Sequence, residues 1–127
     1  MLKSLVPIAF LVLAAAPAAT QPVRAFSMAA LKAAQAKGEP VLVDVFAPWC
    51  PTCRAQAPTI DAISANPAYD KLVILKLDFD HQVAEKKALG VSQQSTLIAF
   101  RGNREVGRTL GVTQPDQIRA FAATPLK

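Results

Sequence analysis

The sequence predicts an α/β domain in which a mixed central β-sheet is flanked by helices on both faces. Three observations predict it. Residues 41–46 and 72–77 are apolar runs, each interrupted by one charged residue, Asp44 and Lys76. Such near-continuous runs suit strands that are covered on both sides. Segments with helix starts and stops lie around them, as parallel strands require. Toward the C-terminus two further runs flank Gly102-Asn103, which reads as a hairpin and makes the sheet mixed.

The 127 residues allow a single domain with one core. The chain opens with Met1-Leu2-Lys3, continues as an apolar stretch over 5–19 broken by Pro7 and Pro17, and gathers small residues at 14–19. That is the layout of a secretory signal peptide, with cleavage expected near residue 19 or near residue 25. An uncleaved membrane anchor is the alternative. The two prolines, and a run below the roughly 18–20 residues needed to cross, argue against it. The expected organisation is a leader in 1–25 and one domain in 26–127, exported to the periplasm and soluble there.

Ser27 is placed to cap a helix from Met28 to about Lys37, with Gly38 as its stop. Pro40 precedes the first strand, 41–46. The next helix starts at Cys50 or Pro51 and runs to about Ser64. Pro51 suits a first-turn position, whereas Pro58 falls inside and is expected to kink the helix. Asn66-Pro67 marks a turn before the second strand, 72–77. Asp80 is placed to cap a helix ending at Leu89 and Gly90. After the hairpin of 96–100 and 105–110, Thr113 with Asp116 three residues on opens a last helix through Ala122.

Charge excludes one class of partner. The formal charge of +5 falls to +4 if Lys3 leaves with the leader, and to +3 if Arg24 leaves as well. Lys86-Lys87 is the only basic doublet, and no basic stripe carries interleaved aromatics, so nucleic acid is not an expected partner. A monomer is expected.

Cys50 and Cys53 are the only cysteines, and they sit where a strand gives way to a helix. An exported protein by default joins its cysteines in a structural disulfide. A bridge closing so short a loop removes little chain entropy, however, which points to a redox-active pair. The i, i+3 spacing brings the two Cα atoms within the roughly 4.4–6.8 Å that a disulfide needs. Unpaired N–H groups at the helix start favour negative charge on the Cys50 sulfur. Asp44, in the middle of an apolar strand, is a carboxyl whose burial favours the protonated form, so it can take up a proton near neutral pH.

Asp44 six residues before Cys50, Trp49 beside it, and Pro58 five residues after Cys53 resemble the thioredoxin family. The form Trp49-Cys50-Pro51-Thr52-Cys53-Arg54-Ala55 is similar to the extracytoplasmic thioredoxin-like reductants, including those of cytochrome c maturation. The resemblance covers nearly everything after about residue 26. It implies the thioredoxin fold and a thiol–disulfide oxidoreductase that needs no cofactor. It makes Cys50 the nucleophile, Cys53 the resolving thiol, Asp44 the base for Cys53, and Lys76 a modulator of Asp44. Trp49, Pro51, Thr52 and Ser95 fall on the substrate side. Trp49 then offers apolar contact area to a protein disulfide substrate, with core filling as the alternative. Strongly oxidising relatives carry histidine where Thr52 stands. The direction implied is reduction of disulfides in exported proteins, with recharging by a membrane thiol-electron donor. A disulfide oxidase or isomerase is the alternative direction.

Two positions depart from the family pattern. Phe46 stands where thioredoxins often have tryptophan, and Ser95 where the family places a cis-proline before the next strand. A cis bond to serine costs about 2.5–4 kcal/mol, against about 0.5–1 for proline. Either Gln94–Ser95 is cis and held by its surroundings, or it is trans and the substrate groove differs. Ser95 is also where a metal can enter, which gives a rival function: copper binding or delivery through Cys50 and Cys53. A closed zinc site wants four ligands, and the chain offers two cysteines and one histidine, His81, which reads as a surface residue. No metal site is expected.

Overall fold

A computed structural model describes residues 11–14 and 21–127 of the protein. Most of the expected leader, including its basic start and most of its apolar stretch, lies outside the described residues.

Five strands form one sheet in the order β1-β3-β2-β4-β5. They are β1 (Arg24–Ala25), β2 (Pro40–Phe46), β3 (Val73–Asp78), β4 (Thr96–Arg101) and β5 (Arg104–Leu110). β2 runs parallel to β3 and antiparallel to β4, and β5 closes the hairpin with β4, so the sheet is mixed as the sequence predicts. Four helices cover it: α1 (Met28–Ala36), α2 (Pro51–Ala65), α3 (Val83–Leu89) and α4 (Pro115–Ala123).

Successive side chains on a strand point to opposite faces, and β2 shows how this divides the core. Val41, Val43 and Val45 pack with Leu31 and Ala34 of α1 on one face. Leu42 packs with Ile60 and Ile63 of α2 and Ile118 of α4 on the other. By the same alternation Asp44 shares the face of Leu42. Each such aliphatic side chain contributes about 1.5–3 kcal/mol when fully removed from water, which dwarfs the weak intrinsic preference of either run.

Several boundaries differ from the sequence expectation, each for a local reason. β1 was absent from it: two exposed residues are too short to carry a period. They are held by pairing Arg24 with Leu75 and Ala25 with Lys76, continued by the Phe26 N–H donating to the Lys76 carbonyl at 2.8 Å. Asp80 does not cap α3. Gln82 stands at that position and makes no capping bond, because its carboxamide is turned sideways, accepting from the Asp78 N–H at 2.9 Å and donating to the Phe26 carbonyl at 2.9 Å. Thr113 likewise opens nothing: α4 begins at Pro115, whose fixed φ suits a first helical position, with Gln114 before it. Ser27 does cap α1, its hydroxyl accepting from the Ala30 N–H at 3.0 Å. α2 continues unbroken through the exposed Pro58.

Candidate functional site

The end of β2 hands the chain to α2 through Ala47-Pro48-Trp49, and Cys50 is the N-cap of that helix. Its sulfur takes the place of the usual capping oxygen, accepting a hydrogen bond from the Cys53 N–H at 3.1 Å. An N–H aimed at the sulfur, with the positive end of a fifteen-residue helix behind it, stabilises negative charge there. Cys53 lies one turn further in, its thiol donating to the Val45 carbonyl at 3.8 Å. Both cysteines are free and each is only 1% exposed, so a substrate disulfide has to reach Cys50 between the residues of the rim. Burial, reinforced by a hydrogen bond with Cys50, pushes the Cys53 thiol up to about 11, against the opposing pull of the Ala47 and Ser95 backbone. One sulfur sits where charge is welcome and the other holds its proton.

Asp44 is 1% exposed and its Oδ1 has no hydrogen-bond partner. Burial raises its carboxyl to about 6; the positive charge of Lys76 opposes this, and Asp61 of α2 adds to it. Asp44 and Lys76 are register partners on β2 and β3. They form no ion pair: the Lys76 ammonium instead stands 4.4 Å from the centre of the Phe46 ring, so it acts on Asp44 through space. No hydrogen bond joins Asp44 to Cys53, although Val45, next in the chain, accepts from that thiol.

Trp49 is 53% exposed, which removes the core-filling alternative. Its indole N–H is held by both carboxylate oxygens of Asp80, at 3.0 and 2.9 Å, and its ring meets Phe79 edge-on at 6.3 Å. Asp80 therefore orients the rim tryptophan in place of capping a helix. His81 pairs with Asp78 at 2.8 Å, and this contact holds the Asp78 carboxyl below its ordinary range. Pro51 is exposed and Thr52 half-buried on the first turn of α2. A groove of about 520 Å³ opens beside the site, lined by Arg24, Phe46, Pro48, Lys76 and Asp80 among others. Among the described residues, no three His, Cys, Asp or Glu side chains gather as metal ligands.

Ser95 settles between its two readings on the trans side. No peptide bond among the described residues is cis, and Ser95 has φ 59°, the only positive value outside glycine. An L-residue in that region is strained, and persists only where its surroundings fix it. Here they do: its N–H donates to the Val45 carbonyl at 2.8 Å, and its own carbonyl accepts from the Gly111 N–H at 3.0 Å. Ser95 is 6% exposed, and both of its backbone polar groups are engaged by these bonds. Proline cannot hold this conformation, since its φ is locked near −65° and it has no N–H. Ser95→Pro is therefore expected to cost about 1–3 kcal/mol through loss of the N–H bond to the Val45 carbonyl, which keeps only the long contact with the Cys53 thiol, and to alter the thiol–disulfide equilibrium. Urea unfolding and equilibration with glutathione check this; unchanged values in both would refute it.

Gln56 is the site residue that sequence reasoning missed. It is fully buried on α2 and donates from Nε2 to the carbonyls of Ser95, at 3.3 Å, and Val112, at 2.8 Å. The signal was its spacing: Cys53, Gln56, Ile60 and Ile63 form one buried helical stripe.

With this geometry in hand, comparison with known proteins is specific. The Thioredoxin family model matches residues 23–124. The chain is 40% identical over 78 residues to thioredoxin of Chlamydia muridarum, covering 61% of this chain and 74% of that one. It is 35% identical over 89 residues to thioredoxin of Alicyclobacillus acidocaldarius subsp. acidocaldarius, covering 70% and 84%. Among solved structures, Trxlp from Edwardsiella tarda superposes with a TM-score of 0.76 at 45% identity, over 79% of this chain and 97% of that chain.

Proposed function

The chain belongs to the thioredoxin family, and from that premise we propose that it reduces disulfide bonds in exported proteins through the Cys50–Cys53 pair. Its fold is the thioredoxin fold, and its cysteine pair and family support thiol–disulfide oxidoreductase activity. The single observation that carries the mechanism is the Cys50 sulfur capping α2 under the Cys53 N–H.

Cys50, as thiolate, attacks one sulfur of the substrate disulfide. A Cys50–substrate bond forms, the substrate S–S bond breaks, and the first substrate sulfur leaves and takes a proton. Cys53 then gives its proton toward Asp44 and attacks the Cys50 sulfur. The Cys50–Cys53 bond forms and the second substrate sulfur leaves. Two electrons have passed from the dithiol to the substrate. The buried carboxyl at about 6 supports Asp44 as acceptor of that proton, and Lys76 keeps it from rising further.

Reduction is favoured over oxidation because Thr52 is a neutral residue between the cysteines, and Asp44 with Lys76 completes the reducing pattern. The basic and apolar start of the sequence supports export to the periplasm. The pairing of Arg24 and Ala25 with β3 supports a cut near residue 19, which keeps β1. In an oxidising compartment the spent disulfide needs a membrane thiol-electron donor. The test is the reduction potential of the mature protein against glutathione. A value near about −270 mV supports a reductant, and one near about −120 mV would make it an oxidant of newly exported dithiols.

A further inference from the structure

We propose that Gln56 is a positioning residue for the second half of the reaction, its carboxamide tying the loop before β4, at Ser95, to the loop after β5, at Val112. The inference rests on the oxidoreductase reading above. Gln56 sits one helical turn beyond Cys53, and its Nε2 reaches the loop before β4 at the Ser95 carbonyl and the loop after β5 at the Val112 carbonyl. Both neighbours are carbonyl oxygens, so the orientation of the amide is fixed by chemistry: only its NH2 end can face them. The other end, Oε1, is buried with no partner. An unmet buried acceptor costs about 1–3 kcal/mol, which an apolar side chain of similar size avoids, so the stability of the core does not call for glutamine here. The two donated bonds do.

Those bonds bear on the sulfur through Ser95. The Val45 carbonyl receives the Ser95 N–H at 2.8 Å and the Cys53 thiol at 3.8 Å, so one acceptor serves both the loop and the resolving cysteine. While the loop is held, its N–H competes for that oxygen, and the Ser95 backbone favours charge on Cys53. Once the loop is released, Val45 turns wholly to the thiol and secures its proton. Ser95 is in a strained conformation held by its surroundings, its N–H on the Val45 carbonyl and its own carbonyl taken by Gly111 and Gln56. Gln56 thus governs how readily Cys53 gives up its proton, without touching substrate.

The test uses the full mature protein, reduced, mixed with excess of a small aromatic disulfide whose thiol is coloured. Cys50 releases one equivalent on attack and Cys53 releases a second on resolving. In Gln56→Leu, which loses both donated bonds, the first phase is expected to stay within about twofold of the wild type and the second to slow about tenfold. Gln56→Glu, whose buried carboxyl donates while protonated and can only accept once ionised, keeps the second phase close to the wild type while protonated and falls behind it as pH rises through its ionisation. This second variant carries the test if the leucine variant does not fold. Folded variants with an unchanged second phase, or with both phases slowed alike, overturn the inference. A wild-type protein releasing neither equivalent overturns the oxidoreductase reading itself.

Discussion

Cys53→Ser is expected to lower disulfide-reducing turnover by about 10³-fold or more, because a group that acts as a unit with its partner is lost entirely. The geometry gives the result a direction. Cys50 keeps the cap position but still receives the residue-53 N–H, since that bond comes from backbone. Its attack on a substrate is therefore preserved, while no thiol remains to release the product. Mixed disulfides should accumulate on Cys50 and be visible by mass spectrometry after alkylation. Cys50→Ser should form none. Trapping by the Cys50→Ser protein instead would reverse the assigned order of attack.

Asp44→Asn is expected to make the protein more stable and slower. The native carboxyl titrates near 6 and the ordinary value is 3.8, so the folded state binds more protons than the unfolded state between those limits. Stability therefore falls as pH rises through that window, and about 3 kcal/mol is withheld by pH 7. Asparagine removes the ionisation but leaves a polar group in the same dry place, so a gain of about 2 kcal/mol at pH 7 is expected, shrinking toward zero near pH 4. Urea unfolding at the two pH values measures it. The resolving phase should meanwhile slow by about 10²-fold, as for loss of a general base. In the wild type that phase should decline as pH falls below about 6, where Asp44 already holds a proton. A resolving rate equal to the wild type across this range would remove Asp44 from the mechanism.

What the sequence disclosed, and what it hid, follows from how each residue interrupts its surroundings. Asp44 and Lys76 were legible because each is a charged residue breaking an apolar run where the pattern demands another valine or leucine, and the cysteines because two of them, three positions apart, sit where a strand gives way to a helix. The sheet was legible for the same reason, since β2 and β3 are buried on both faces. β1 carried no such contrast, because its structure comes from its neighbour. Ser95 was visible as a departure, but its backbone could not be: the left-handed conformation is imposed by Val45 and Gly111, remote in sequence. Gln56 was hidden because glutamine in a helix reads as surface until the neighbouring stripe is traced. Asp80 was misread because a carboxylate before a helix invites a capping role, and nothing local announces that an indole thirty-one residues earlier will claim it.

The position of β2 also governs how the protein comes into being. The strand that leads to the cysteines is central in the sheet, yet both of its partners, β3 and β4, follow it in the chain, with Val41 finally opposite Phe100. Contacts of such separation form late, after the entropy of closing a long loop has been overcome. A nascent chain therefore carries two naked thiols until β4 docks. In the native state the same sulfurs are 1% exposed. The rate at which a bulky alkylating reagent loses access to them is thus a direct clock for closure of the sheet. Where the surroundings are oxidising, a thiol captured before that moment is locked into a partner the finished fold was never shaped to hold.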